Sequence, residues 1–214
     1  MSKGKLIVIS GFSGAGKGTI IKNIMQKHPG EYAFSVSATT RSIRPGEVDG
    51  KDYFFVSKDE FEKMIAQEKL LEYALYGDNY YGTPSEPIDK MLEEGKNIIL
   101  DIEVNGMHNI TSKRPNVSTV FVIPPSSEDL INRLIKRGTE TKEQLTNRLI
   151  KATEEAKFAF EYGFILQNGD IEKCSNEFEE YLKTGKQDEN IRLKNLALTQ
   201  EICEGIKKYI KQGE

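Results

Sequence analysis

A strand, a glycine loop and a helix follow one another near the start of the chain, and no other stretch restricts the fold so much. Leu6-Ile7-Val8-Ile9 is a continuous apolar run of the kind found in strands buried on both faces. The loop after it reads Gly11-Phe12-Ser13-Gly14-Ala15-Gly16-Lys17-Gly18-Thr19, with the spacing G-x-x-x-x-G-K. Ile20-Ile21-Lys22-Asn23-Ile24-Met25 then places apolar residues at helical spacing. Glycines let the backbone curl at positive φ and bring its N–H groups close to an anion. The helix that follows aims its positive end at the same point. Lys17 supplies a mobile charge for the outer phosphates. The stretch reads as a phosphate cradle, and a nucleoside triphosphate is the natural occupant. Gly18 stands where such loops carry a Ser or Thr that meets magnesium. Either Thr19 serves instead, or the metal keeps more of its waters and leans on the phosphates.

At 214 residues the chain is sized for one domain, or one core with insertions. A formal charge of −3 gives no general attraction to nucleic acid or to a membrane surface, so phosphates must be met by local basic clusters. Cys174 and Cys203 have neither metal-type nor disulfide-framework spacing, and are expected as free thiols in a reducing cytoplasm. The apolar run near the start is too short for a signal peptide or a membrane span.

Further along, Arg41 and Arg44 lie in a hydroxyl-rich stretch, residues 34–46, closed by Pro45-Gly46. It is either a polar surface loop or a pair of guanidinium forks for phosphate oxygens. Ser57 and Glu60 form a capping box for a helix over 58–67. Residues 85–94 read as another capped helix. Between the two α/β units, residues 35–83 are short strands, turns and one helix, rich in Tyr, Ser and Arg, and look ligand-facing. Residues 97–103 form a second buried strand, with Asp101 and Glu103 at its carboxyl end. There they face the cradle, or are simply helix-start carboxylates. A third strand is expected over 119–123. A helix from Ser127 carries Arg133 and Arg137 on one face, with Ser126 or Ser127 as cap, and a helix from about Thr141 to Lys157 carries Arg148. These are an exposed basic face, or a flap that brings guanidinium groups onto phosphates. The last strand is expected at 164–167, followed by Asn168-Gly169-Asp170 and a helix over 171–183. Residues 189–212 read as an amphipathic helix, with Leu198, Ile202, Ile206 and Tyr209 or Ile210 at helical spacing, packing on the core or on a second subunit.

Several of these pieces together resemble the guanylate kinase family: residues 11–19 (GFSGAGKGT), 35–57 (SVSATTRSIRPGEVDGKDYFFVS), 72–84 (EYALYGDNYYGTP), 99–106 (ILDIEVNG), 130–140 (LINRLIKRGTE) and 167–170 (QNGD). The likeness covers about residues 5–183. It implies an α/β fold: a phosphate-loop parallel sheet flanked by helices, with a GMP-binding insertion and a helical lid. The implied parts are core with phosphate loop (1–34), insertion (35–83), core (84–125), lid (126–149) and core (150–183), followed by a linker and C-terminal helix (184–214). The implied reaction is ATP + GMP = ADP + GDP, with dGMP as a further acceptor and magnesium accompanying ATP. By the resemblance, Gly11, Phe12, Ser13, Gly14, Ala15, Gly16, Lys17, Gly18 and Thr19 bind ATP, with Asn168 near its adenine and Arg137 nearer its adenine or its phosphates. Ser37, Arg41, Arg44 and Tyr81 hold the GMP phosphate and Tyr53 assists, while Glu72, Thr83 and Glu103 read guanine. Guanine offers an N1–H and a 2-amino group, both donors, and carboxylates only accept. Lys17, Arg44, Arg133 and Arg148 supply the field for transfer. Asp101 orients Lys17 or holds magnesium-bound water, and Thr19 is the other metal candidate. ATP and GMP are the expected partners, with no nucleic acid and no membrane, in a cytoplasmic monomer or homodimer. Three rival readings are a non-catalytic binding module of the same fold, a kinase of another nucleoside monophosphate, and a stand-alone ATPase or sensor.

Overall fold

The computed structural model describes residues 3–136 and 141–213. In chain order its elements are β1 (Leu6–Gly11), α1 (Lys17–Lys27), β2 (Tyr32–Phe34), β3 (Ala38–Thr39), β4 (Phe54–Phe55), α2 (Lys58–Ala66), β5 (Leu70–Tyr76), β6 (Asn79–Pro84), α3 (Ser85–Glu93), β7 (Asn97–Asp101), α4 (Val104–Lys113), β8 (Val117–Ile123), α5 (Ser127–Lys136), α6 (Lys142–Ala156), a 3-10 turn (Ala159–Glu161), β9 (Phe164–Gln167), α7 (Ile171–Thr184) and α8 (Glu189–Gly213). One sheet has the order β2-β7-β1-β8-β9, and a second has the order β4-β3-β6-β5. The Ile98 amide donates to the Lys5 carbonyl and the Ile102 amide to Ile9, so β7 and β1 run the same way. β2 with β7 and β8 with β9 are parallel pairs as well. All six residues of β1 are buried, as the continuous apolar run requires. Among the described residues no helix is long and apolar enough to cross a membrane.

The chain divides into two units. One comprises the chain up to Ile7 with residues 29–100 and 105–117. It carries the second sheet, which has a small core of its own: Ala38, Phe61 and Leu70, with Phe54, Val56, Met64, Ile65 and Tyr80 against them. Phe61 and Tyr80 stack at 5.1 Å. The other unit comprises residues 8–28, 101–104 and the chain from 118 on. Phe12 meets Phe121 edge-on at 5.9 Å and Phe121 meets Tyr162 at 5.1 Å, so the residue after β1 is anchored in this core.

Local chemistry accounts for most boundaries. The Ser57–Glu60 capping box is present at α2, and a second one joins Thr141 to Gln144 at α6. Ser126 rather than Ser127 caps α5, its Oγ accepting from the Asp129 amide at 3.0 Å. The helix at 85–93 is not side-chain capped: Pro84 is its N-cap, and Ser85 Oγ donates instead to the Lys69 carbonyl at 3.0 Å. β7 stops at Asp101 rather than at 103, because the chain turns into α4, the helix start that the carboxylates of 101 and 103 offered as one reading.

Candidate active site

The phosphate loop is built entirely inside the second unit. Gly11 leaves β1 at φ 142°, and a Cβ there would strike the backbone of Val122. Gly16 has φ 91°, and a Cβ on it would strike the amide of Asn168. Both positions therefore require glycine. The Ala15 amide closes the turn onto Phe12 O at 2.9 Å, and the Thr19 amide bonds Gly16 O at 3.0 Å. The Phe12 side chain is wholly buried, so this residue contributes backbone and packing, not a side-chain contact to a ligand. Asn168 is buried, and its Nδ2 donates to Ala15 O at 2.5 Å. It supports the loop from beneath.

Lys17, the first residue of α1, donates to Gly11 O at 3.3 Å and stands 3.7 Å from Asp101 Oδ1. Burial pushes the Asp101 carboxyl pKa up, and the charge of Lys17 pulls it part of the way back. Two residues on, Glu103 pairs with Lys151 of α6. Lys151 also lies 3.9 Å from Glu155. Burial raises the Glu155 pKa, the charge of Glu103 raises it further, and Lys151 and Lys17 lower it. A chain of alternating charges thus runs from Asp101 through Lys17 to α6.

Two guanidinium groups reach the loop from the helices above it. Arg133 of α5 donates from Nη1 to Ala15 O at 3.3 Å. Arg148 of α6 donates from Nη2 to Ser13 Oγ at 2.6 Å. Arg137 lies outside the described residues.

The other unit gathers a different set. Arg41 makes a two-pronged pair with Glu47, at 2.7 and 3.0 Å, and its guanidinium carbon lies 5.4 Å from the centre of the Tyr53 ring. The Tyr53 and Tyr81 rings meet edge-on at 6.0 Å. The hydrogen bond to Glu47 holds the Arg41 pKa above its usual value, with Tyr81 adding to it, and the same pair holds Glu47 below the usual carboxylate range. The exposed Arg44 has its backbone amide on Glu47 Oε2 at 2.8 Å. The half-buried Ser37 receives the Phe54 amide on its carbonyl at 2.9 Å. Thr83 Oγ1 donates to Glu72 Oε1 at 2.5 Å, and both residues are buried. Arg41, Tyr53 and Tyr81 are therefore brought together, as are Glu72 and Thr83.

The guanylate kinase family model matches residues 3–185. A guanylate kinase of Trichodesmium erythraeum is 47% identical over 182 residues, covering 85% of this chain and 97% of its own. One from Clostridioides difficile is 44% identical over 186 residues, covering 87% and 90%. The crystal structure of guanylate kinase from Anaplasma phagocytophilum superposes with a TM-score of 0.66 at 26% identity, covering 88% of this chain and 89% of that one. The chain belongs to the guanylate kinase family.

Three residues of this guanylate kinase escaped the reading of its sequence. Lys151 and Glu155 follow Arg148 at +3 and +7, so helical spacing alone could have placed them with it. Glu47 sits in the quoted R-x-x-R-P-G-E run without an assigned role. Magnesium fits the donors present. It takes hard oxygen ligands, keeps several waters and leans on substrate phosphates. The Asp101 carboxylate and the exposed Thr19 hydroxyl are such donors, and a Cβ on Gly18 would meet nothing within 4 Å, which leaves room for water. Among the described residues no group of three or more His, Cys, Asp or Glu is placed to hold a metal unaided.

Proposed function

We propose that this member of the guanylate kinase family, which phosphorylates GMP with ATP, divides the work between its two units. The phosphate loop, Lys17, Arg133 and Arg148 take the ATP phosphates. Ser37, Arg41, Arg44, Tyr53 and Tyr81 take the GMP phosphate, and Glu72, Thr83 and Glu103 take the base. The observation that carries this is the convergence of Arg133 and Arg148 on Ala15 O and Ser13 Oγ, beside Lys17. Those loop atoms cannot retain the guanidinium groups once phosphate oxygens are offered, because a charge-assisted pair with phosphate is the stronger bond.

Transfer of the γ-phosphoryl group requires positioning and charge neutralisation rather than covalent help. The repulsion between two polyanions is the obstacle, and the arginines of both units with Lys17 relieve it. The acceptor phosphate has a second pKa near 6, by analogy with a phosphorylated side chain, so no general base is required. Magnesium, held by Asp101 and Thr19 through water, would neutralise charge on the ATP phosphates. Asp101 orients Lys17. Thr83 fixes Glu72 so that its carboxylate meets the guanine donors, which adenine lacks. A pocket that reads base and phosphate admits dGMP also. Arg137 is assigned to the ATP side with Arg133, four residues apart. The expected division is insertion 35–83 for GMP, lid 126–149, and core 1–34, 84–125 and 150–183. The unpaired thiols Cys174 and Cys203 suit a reducing cytoplasm.

The test is ADP release from magnesium-ATP with GMP, dGMP, AMP, CMP and UMP supplied separately. Turnover with the two guanine nucleotides alone is expected. Turnover with AMP or a pyrimidine would overturn the base assignments of Glu72 and Glu103.

A further inference from the structure

Helix α8 lies beyond residue 185, where the family match ends. It is fastened at both ends of the helical pair that carries Arg133 and Arg148. At its start, the Arg192 guanidinium donates to Phe160 O at 2.6 Å and to Tyr162 O at 2.7 Å, in the segment that follows α6. Asn195 Nδ2 donates to Ile165 O of β9 at 2.8 Å. Asn195, Thr199, Ile202 and Ile206 make one buried stripe, and α8 packs on both α5 and α6. Toward its far end, Gly205 sits so close to Ser127, the first residue of α5, that a Cβ on Gly205 would strike Ser127 Oγ and lie 2.7 Å from its Cβ.

We propose that α8 is a positioning brace for the lid arginines: it fixes α5 and α6 relative to the phosphate loop through the Gly205–Ser127 contact and the Arg192 anchor. This rests on the reading of Arg133 and Arg148 as phosphate ligands. Arg133 lies six residues beyond Ser127, a lever of about 9 Å along the helix axis. A shift of α5 at Ser127 therefore moves the guanidinium off Ala15 O. A displacement of about 1 Å in a positioning group can cost about 10²-fold in rate. The Ser127 hydroxyl can rotate away from a new methyl group, but its Cβ is fixed to the backbone, so the helices themselves must part.

The test is Gly205→Ala, in parallel with Ser127→Gly, the double variant, Arg192→Met and Arg133→Ala. Alanine is a better helix former than glycine, so the substitution strengthens α8 while breaking its seat on α5. Expected for Gly205→Ala is a fall in kcat of about tenfold or more with KM for GMP unchanged. Adding Ser127→Gly removes both struck atoms and restores kcat, while Arg192→Met reproduces the kcat loss from the other end. The proposal is overturned if Gly205→Ala keeps wild-type turnover, if KM for GMP rises in step with the loss, or if the double variant stays as slow as the single one. If Gly205→Ala melts too low to assay, the double variant alone decides by the same criterion. Wild-type turnover in Arg133→Ala would instead sink the arginine reading beneath it.

Discussion

Lys151, one turn of α6 beyond Arg148, holds the carboxylate of Glu103 in an ion pair. Glu103 is, with Glu72, a carboxylate we propose for guanine, and on that proposal base and ammonium compete for the same oxygens. Both side chains are about half exposed, and such pairs contribute about 0–1 kcal/mol. Lys151→Met is therefore expected to lower KM for GMP by no more than about fivefold, whereas Glu103→Gln raises it. Steady-state kinetics with GMP as the varied substrate decide. A rise in KM on losing Lys151 would mean that the ammonium helps to bind GMP.

Arg148 reaches Ser13 Oγ at 2.6 Å, nearer to the loop than Arg133 is to Ala15 O. Arg148→Ala should lower kcat about 10³-fold or more, the scale found when a transferring phosphoryl group loses an arginine. Binding of ATP measured by calorimetry should weaken far less, since the arginine acts chiefly on charge that develops during transfer. Near-normal turnover in the variant would remove Arg148 from the mechanism.

The elements most readable in the sequence are those in which local chemistry and burial agree. β1 is an unbroken apolar run that is buried throughout, and the Ser57–Glu60 box stands where α2 begins. The start of α4 was one reading of the carboxylates at 101 and 103, but its extent was not legible because Asn105, Gly106, His108 and Asn109 are poor helix formers. Tertiary packing through buried Val104, Met107 and Ile110 overrides them. In α8 the apolar spacing points to Leu198, Ile202 and Ile206, yet the buried stripe continues through Asn195 and Thr199, while Tyr209 is exposed. A polar residue whose partner is a strand carbonyl thirty residues away leaves no local pattern. Asn168 is legible as a site residue, but its role under the loop depends on Gly16, 152 positions earlier in the chain.

Glu155 has its pKa raised above the usual 4.5 by burial and by Glu103. The folded state therefore holds the proton more tightly than the unfolded chain, and stability falls as pH rises through the window between the two values. At neutral pH the charged form is a net cost. Glu155→Gln should raise Tm at pH 7, with the difference from wild type shrinking as the pH is lowered through that window. Scanning calorimetry across the acid range gives the answer. A lower Tm in the variant at pH 7 would show instead that the attraction of Lys151 and Lys17 outweighs the burial.

Glu47 organises the arginine loop of the first unit: it takes both prongs of Arg41 and the backbone amide of Arg44. Arg41 bonded in this way faces Tyr53 and Tyr81 rather than sampling solvent. The pair lowers the Glu47 pKa, so the arrangement persists on mild acidification. Glu47→Gln keeps the shape but removes the charge that holds the fork. We expect KM for GMP to rise about tenfold, the scale of one lost charge-assisted hydrogen bond, while KM for ATP is unchanged, because Arg41 and Arg44 are assigned to the GMP phosphate. Equal losses for both substrates would mean that Glu47 supports the fold of the insertion as a whole rather than the phosphate fork, and a melting curve of the variant would show that loss directly.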